Sequence, residues 1–248
     1  MINAHKVSKF KNPKGDSHTR YYVTLEDGTK VEVASVTTIL SMISEEFLMA
    51  WSNWLGTKGI DYKAFLQRMA NVGTVTHDAI ETFGREDAIH PFNHPLTQQD
   101  PKITTMVTNT YQAYMQWYGQ HTMEPILREE SLVSQKNFFG GTLDYLGGID
   151  GKMTLLDYKS SNHLSFKYLL QLVGYIIEVE EDETLPKIEQ VGILRLSKKD
   201  MEYEYIIIPY HEIEMYKPVF LKLVEMFYDI NALKEDWDGM KEMFMQDK

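Results

Sequence analysis

Three strand-like runs, "ILREESLVSQ", "FFGGTLDYLGGID" and "KMTLLDYKS", follow one another between Pro125 and Ser160, parted only by turn-forming residues. β-branched and aromatic runs at that spacing predict a three-stranded meander. A sheet with so apolar a centre needs cover, and the flanking sequence offers it. Helical periodicity runs from about Ser165 to Glu180, and helices are predicted from about His211 to the end. Between them "KIEQVGILRLS" and "MEYEYIIIPY" read as two further strands around "KKD". The acidic "EVEEDET" at 178–184 reads as a solvated helix end and loop.

Ahead of the meander, "RYYVTLEDGTKVEVASV" reads as a β-hairpin whose turn uses Asp27-Gly28 for the positive φ it needs. Ser35 or Thr37 can cap the helix that follows. Helical spacing then continues to "THDAIETFG", with breaks expected near Gly56, Gly59 and Gly73. "DAIHPFNHPLTQQDP", with three prolines, reads as a loop, and Ile103, Val107, Tyr111 and Tyr114 mark a long helix after it. The fold class is therefore α+β, a mixed central sheet flanked by helices, in one domain. Within it, 1–19 form a loosely held arm, 20–121 the hairpin and helical part, 122–210 the sheet core and 211–248 the C-terminal helices.

The absence of cysteine from all 248 residues rules out disulfides, thiolate metal sites and a Cys nucleophile, so any metal sits on oxygen or imidazole. A net charge of -11 argues against a protein that coats nucleic acid through a broad basic face. It leaves room for an enzyme that meets a polyanion through a cation. With no signal-like or membrane-spanning apolar run, the chain is expected to be soluble, without a membrane partner, and intracellular.

The meander carries charge where a buried sheet would take Val or Leu. Asp144 and Asp157 fall on consecutive strands, and Lys159 shares a face with Asp157 by the period of two. Two carboxylates forced together repel each other unless a cation separates them, and a hard ion such as Mg²⁺ or Mn²⁺ suits oxygen ligands. A lysine beside them can hold or help deprotonate a water. Glu130 lies on the preceding strand, opposite in facing to its neighbour Glu129; Gln171 and Tyr175 lie four apart on one helix face; His77 and Glu81 do the same on a helix expected to begin at Gly73.

The ordered series His77, Glu130, Gly141-Thr142-x-Asp144, Asp157-x-Lys159 and Gln171-x-x-x-Tyr175 resembles the PD-(D/E)XK nuclease superfamily. Specifically it resembles the RecB-like exonuclease branch, which includes phage exonucleases and the mitochondrial genome maintenance exonuclease. The resemblance runs from about residue 20 to 177 and departs from the iron–sulfur relatives, which need four cysteines. It implies metal ligation by Asp144, Asp157, Glu130, His77 and the Tyr158 carbonyl, with "ESLV" favouring Glu130 over Glu129. It implies that Lys159 orients and activates water, and that Thr142, Ser160, Gln171 and Tyr175 meet the substrate.

The function implied is a Mg²⁺- or Mn²⁺-dependent DNA exonuclease acting on single strands or ends in recombination, replication or end processing. Partner proteins from those processes would accompany it. The setting is the cytoplasm of a bacterium or phage-infected cell rather than a mitochondrion. The alternatives are an endonuclease and a non-catalytic DNA-end-binding subunit. Trp51, Trp54, Phe65 and Phe83 read as core, with base stacking as the alternative. Lys58, Lys63, Arg68, Arg20 and Lys167 are candidate phosphate contacts. The Met-rich tail is read as cover for the sheet or as an oligomer contact.

Overall fold

The computed structural model describes residues 4–10, 19–43 and 53–245. Its seven-stranded sheet runs in the order β1-β2-β4-β5-β6-β7, with β3 paired to β4. β1 (Tyr21–Thr24) and β2 (Lys30–Ser35) form the N-terminal hairpin, where Gly28 takes φ 82 and the Asp27 carboxylate accepts the Thr29 N–H. β3 (Met123–Ser134), β4 (Phe139–Ile149) and β5 (Lys152–Lys159) are the meander. A helix then carries the chain over to β6 (Gln190–Leu196), parallel to β5, and β7 (Tyr203–Pro209) closes the edge.

Helices cover both faces. α1 (Val36–Leu40) starts at Ser35, whose hydroxyl accepts the Thr38 N–H. α2 (Tyr62–Glu81) and α3 (Thr104–Tyr118) lie on the face bearing Tyr145, Leu156 and Tyr158. α4 (Phe166–Glu181), capped by Ser165, and α5 (Lys217–Met245) cover the opposite face. Every residue of α4 from Leu170 to Val179 is buried, because the sheet, α1 and α5 enclose it on all sides.

Several expectations need correction. α2 runs unbroken through Gly73, since packing outweighs the roughly 1 kcal/mol helix penalty of a glycine. The segment around the three prolines is not a plain loop: each proline opens a short turn, at Pro91–Asn93, Pro95–Gln99 and Pro101–Ile103, where its missing N–H costs nothing. The N-terminal arm, over the stretch 4–10, is tied down: Val7 and Phe10 are buried, and Phe10 packs on Phe227 and Tyr228.

Glu178 is not solvated. It is 1 % exposed, and neither carboxylate oxygen has a hydrogen-bond partner. Burial, aided by the charge of Glu181, holds its pKa well above the carboxylate range. A raised folded pKa contributes stability that is complete below the unfolded value and is lost as pH rises through the folded one. Glu178→Gln should therefore stabilise the chain by at least about 1 kcal/mol at pH 8 and little at pH 4, read from thermal melts at the two pH values.

Candidate active site

β4 is claimed along one edge by β3 over nearly its whole length. On its other edge it meets two strands. β2 pairs only with Phe139 and Gly140, and β5 only from Tyr145 onward. Residues 141–144 thus face a fork that no strand fills among the described residues. Asp144 stands at its inner end, and its Oδ2 accepts the Tyr158 N–H at 2.6 Å, taking the acceptor role a ladder carbonyl would have had. The carboxylate is 7 % exposed and is anchored by the backbone of β5.

The pairs Arg128↔Tyr145 and Glu130↔Leu143 place Glu129 directly opposite Asp144. Residues opposed across antiparallel strands share a face, so the two carboxylates adjoin. Glu129 takes φ 47, a left-handed backbone that is strained for a non-glycine residue and is found preferentially at functional sites. His77, from the last turns of α2, closes the group: its Nδ1 lies 3.0 Å from Glu129 Oε1 and 3.4 Å from Asp144 Oδ1. Glu130, expected here, is exposed on the other face. The alternation that separates neighbours put Glu129 inward, and the choice between them was set by register, not by local sequence.

Electrostatics fit the geometry. Burial alone would lower the His77 pKa, but Asp144 and then Glu129 outweigh it and hold it well above the usual value. The imidazolium stabilises the fold fully below about pH 6.5, and that contribution is lost as pH rises through the raised value. Burial would raise Asp144, yet His77, Lys159 and the Tyr158 N–H bring it below the usual range. Glu129 goes the other way, raised chiefly by burial.

Asp157, on β5, is 1 % exposed, and Lys159 Nζ lies 2.8 Å from its Oδ1 and 2.7 Å from its Oδ2. Only the first contact has hydrogen-bond geometry, which leaves Oδ2 free to accept another bond. Burial, opposed by Lys159, pushes Asp157 up to about 6. Burial pulls Lys159 down, but Asp157 and Asp144 more than restore it, so the side chain stays an ammonium, 4.9 Å above the Tyr168 ring. As an ammonium it can donate hydrogen bonds but has no lone pair with which to take a proton.

Gln171 Nε2 donates to the Tyr175 hydroxyl at 2.7 Å, both side chains buried on α4. After burial, the charges of Asp157 and Asp144 are what raise the Tyr175 pKa, so the phenol belongs to the same field. Tyr175 reaches the sheet over Gly141, where any Cβ would stand 2.5 Å from its ring. Thr142, expected at the substrate, has its hydroxyl taken by Tyr21 and Ser131, each at 2.8 Å. Ser160 sits across from Gly73, its Oγ 3.7 Å from where a Cβ would be.

Arg68 and Arg20 are ion-paired, with Asp100 and Glu32. Trp54 is exposed, not core, Phe83 packs on Tyr114 and Tyr118, and Trp51 lies outside the described residues. Arg128 went unnoticed in the sequence; it lines a small cavity with Ile80, Glu81, Tyr114, Glu129 and Asp144, and donates to the Phe83 carbonyl.

His77, Glu129 and Asp144 each offer a ligand atom, all within 4.8 Å of one another. One imidazole and two carboxylates form a hard donor set that could hold a divalent cation. Among the described residues no helix is long and apolar enough to cross a membrane.

No family model and no curated protein matches the chain. Among solved structures it is similar to an alkaline exonuclease from Laribacter hongkongensis, at 14 % identity and a TM-score of 0.33, over 66 % of this chain and 93 % of that one. A TM-score of 0.33 is below what a shared fold requires, so the activity has to be argued from the site itself.

Proposed function

We propose that this chain is a divalent-metal-dependent deoxyribonuclease of the PD-(D/E)XK type, an exonuclease that hydrolyses phosphodiester bonds at DNA ends, single strands in particular, in recombination, replication or end processing. The observation that carries the reading is the fork: it brings His77, Glu129 and Asp144 together beside the buried Asp157–Lys159 pair. Mg²⁺ or Mn²⁺ would be held by His77, Glu129, Asp144 and Asp157, with the Tyr158 carbonyl adjoining. Such a cation supplies Lewis-acid polarisation of a phosphoryl oxygen and lowers the pKa of water bound to it.

The protein's own groups do the rest. Asp144, held by the Tyr158 N–H, and Glu129, fixed by its strained backbone, keep the ligand set in place. The Lys159 ammonium orients the attacking water and donates to the phosphoryl oxygen on which charge grows. Gln171 donates a hydrogen bond to the Tyr175 oxygen, so the phenol hydrogen is free to point at a phosphate oxygen or at Asp157. Ser160, beside Gly73, lies within the approach to that phosphate.

The test is digestion of end-labelled single- and double-stranded oligonucleotides with Mg²⁺, Mn²⁺ or EDTA, comparing Glu129→Gln with Glu130→Gln. Metal-dependent release of short products from one end is expected, reduced about 10²-fold or more by Glu129→Gln and less than about threefold by Glu130→Gln. In the metal-free protein burial pushes Asp157 up to about 6, so protons compete with the cation below that pH, and the rate at subsaturating metal should fall there and recover with added metal. Nicking of closed circles with linear DNA untouched would replace the exonuclease by an endonuclease, and no cleavage with any metal would sink both.

A further inference from the structure

α5 carries two apolar faces where a covering helix needs one. Phe220, Val224, Phe227 and Tyr228 are buried in the core. Alongside that face the sequence carries a second series at alternating spacings of four and three, the seam pattern of a coiled coil, in which Leu223 still touches the core. Its d positions are Val219, Met226, Leu233 and Met240, and its a positions Leu223, Ile230, Trp237 and Phe244. Leu233 is 65 % exposed and Trp237 57 %, and Met226 is also more than half exposed. Large apolar side chains in so regular a stripe cost a monomer solubility and, Leu223 apart, return little to its own core.

We infer that this seam is a homodimer interface, in which α5 pairs with α5 of a second copy as a parallel, in-register two-stranded coiled coil. Charge decides both the partner and the direction. The seam is flanked on one side, at g positions, by Asp229 and Asp236, and on the other, at e positions, by Lys234 and Lys241. A parallel pair sets each g beside the e five residues on in its partner, so Asp229 meets Lys234 and Asp236 meets Lys241, twice over by symmetry. An antiparallel pair would set Asp against Asp and Lys against Lys.

The lysines of the N-terminal arm, Lys6 on Asp229 and Lys9 on Asp236, hold those carboxylates at the flank of the seam without covering it. These pairs are exposed, so they select orientation and the apolar seam supplies affinity. A lipid surface fits less well: α5 bears four lysines against six acidic residues, where a membrane-surface helix is rich in lysine and arginine. Phe220 and Phe227, at e positions, are buried in the core, so the pairing runs from Ile230 to Met240, where the flanking e positions are the exposed Lys234 and Lys241.

The experiment is sedimentation velocity of the full chain over a concentration series, with Leu233→Glu, Ile230→Glu and Leu233→Cys. The native chain is expected to dimerise at micromolar concentration, and either glutamate to weaken the dimer by about 100-fold while leaving the circular dichroism as it is. In this cysteine-free chain, mild oxidation should cross-link Leu233→Cys into a covalent dimer, because in-register d positions adjoin. A native chain that stays monomeric, or monomers that bind anionic vesicles instead, would overturn the proposal. So would a dimer indifferent to Leu233→Glu, and a dimer that resists cross-linking would overturn its parallel arrangement.

Discussion

Asp144→Asn should lose metal-dependent cleavage by about 10³-fold or more while the fold stays intact. The substitution is chosen for shape: an asparagine carbonyl can still accept the Tyr158 N–H that Asp144 accepts at 2.6 Å, so β4 and β5 remain joined. What goes is the charge on the residue shared by His77, Glu129 and the Lys159 field. Calorimetric titration with Mg²⁺ or Mn²⁺ should show affinity lost along with activity. Lys159→Met should also cost about 10³-fold, by a different route: cation binding should persist. Removing the ammonium leaves Asp157 buried without its partner, so a fall in stability at pH 8 and a smaller one at pH 5, where Asp157 can take a proton, is the accompanying sign. A variant at either position that cleaves normally would place the chemistry elsewhere.

The second large effect is on stability. Trp117 is fully buried at the centre of the aromatic cluster on the α2–α3 side of the sheet, tilted against Tyr114 and His121 and edge-on to Tyr205 at 5.1 Å. Its indole N–H has no hydrogen-bond partner, so truncation forfeits packing without orphaning an acceptor. Trp117→Ala should destabilise the protein by about 3–5 kcal/mol, and at 2–4 °C per kcal/mol for a chain of this size the melting temperature should drop by roughly 10 °C. The same cluster includes Tyr158, whose N–H anchors Asp144, so cleavage should decline at temperatures where the variant is still folded. Trp117→Phe, which keeps most of the volume, should recover more than half of both losses. A melting temperature within 2 °C of the native value in Trp117→Ala would show that the cluster relaxes into the space.

The strands and their order were legible because alternation and turn residues are local signals. "EDGTK" folds as the hairpin turn it suggests, and Ser35 and Ser165 cap the helices expected to follow them. The acids of the meander were legible as a group for the same reason: charge inside apolar strands is conspicuous at any register. What was hidden depended on contacts between distant segments. Nothing near Glu129 and Glu130 distinguishes them until the four-residue turn 135–138 fixes the pairing of β3 with β4. Gly73 reads as a helix break until Ser160 is seen to lie opposite it. Glu178 reads as part of an acidic, solvated run until α4 is found enclosed on every side.

The fork in β4 makes strand length a determinant of the candidate site. β2 stops at Ser35 because the Ser35 hydroxyl starts a helix, and the chain turns away just where continued pairing would reach residues 141–144. Two or three more residues of β2 would zip that edge closed and shut Asp144 off behind a hydrogen-bonded strand. The fork is therefore bounded by a helix cap more than a hundred positions upstream of the acid at its inner end. Insertions or deletions between Ser35 and Thr38 should act on the candidate site as directly as a substitution within it.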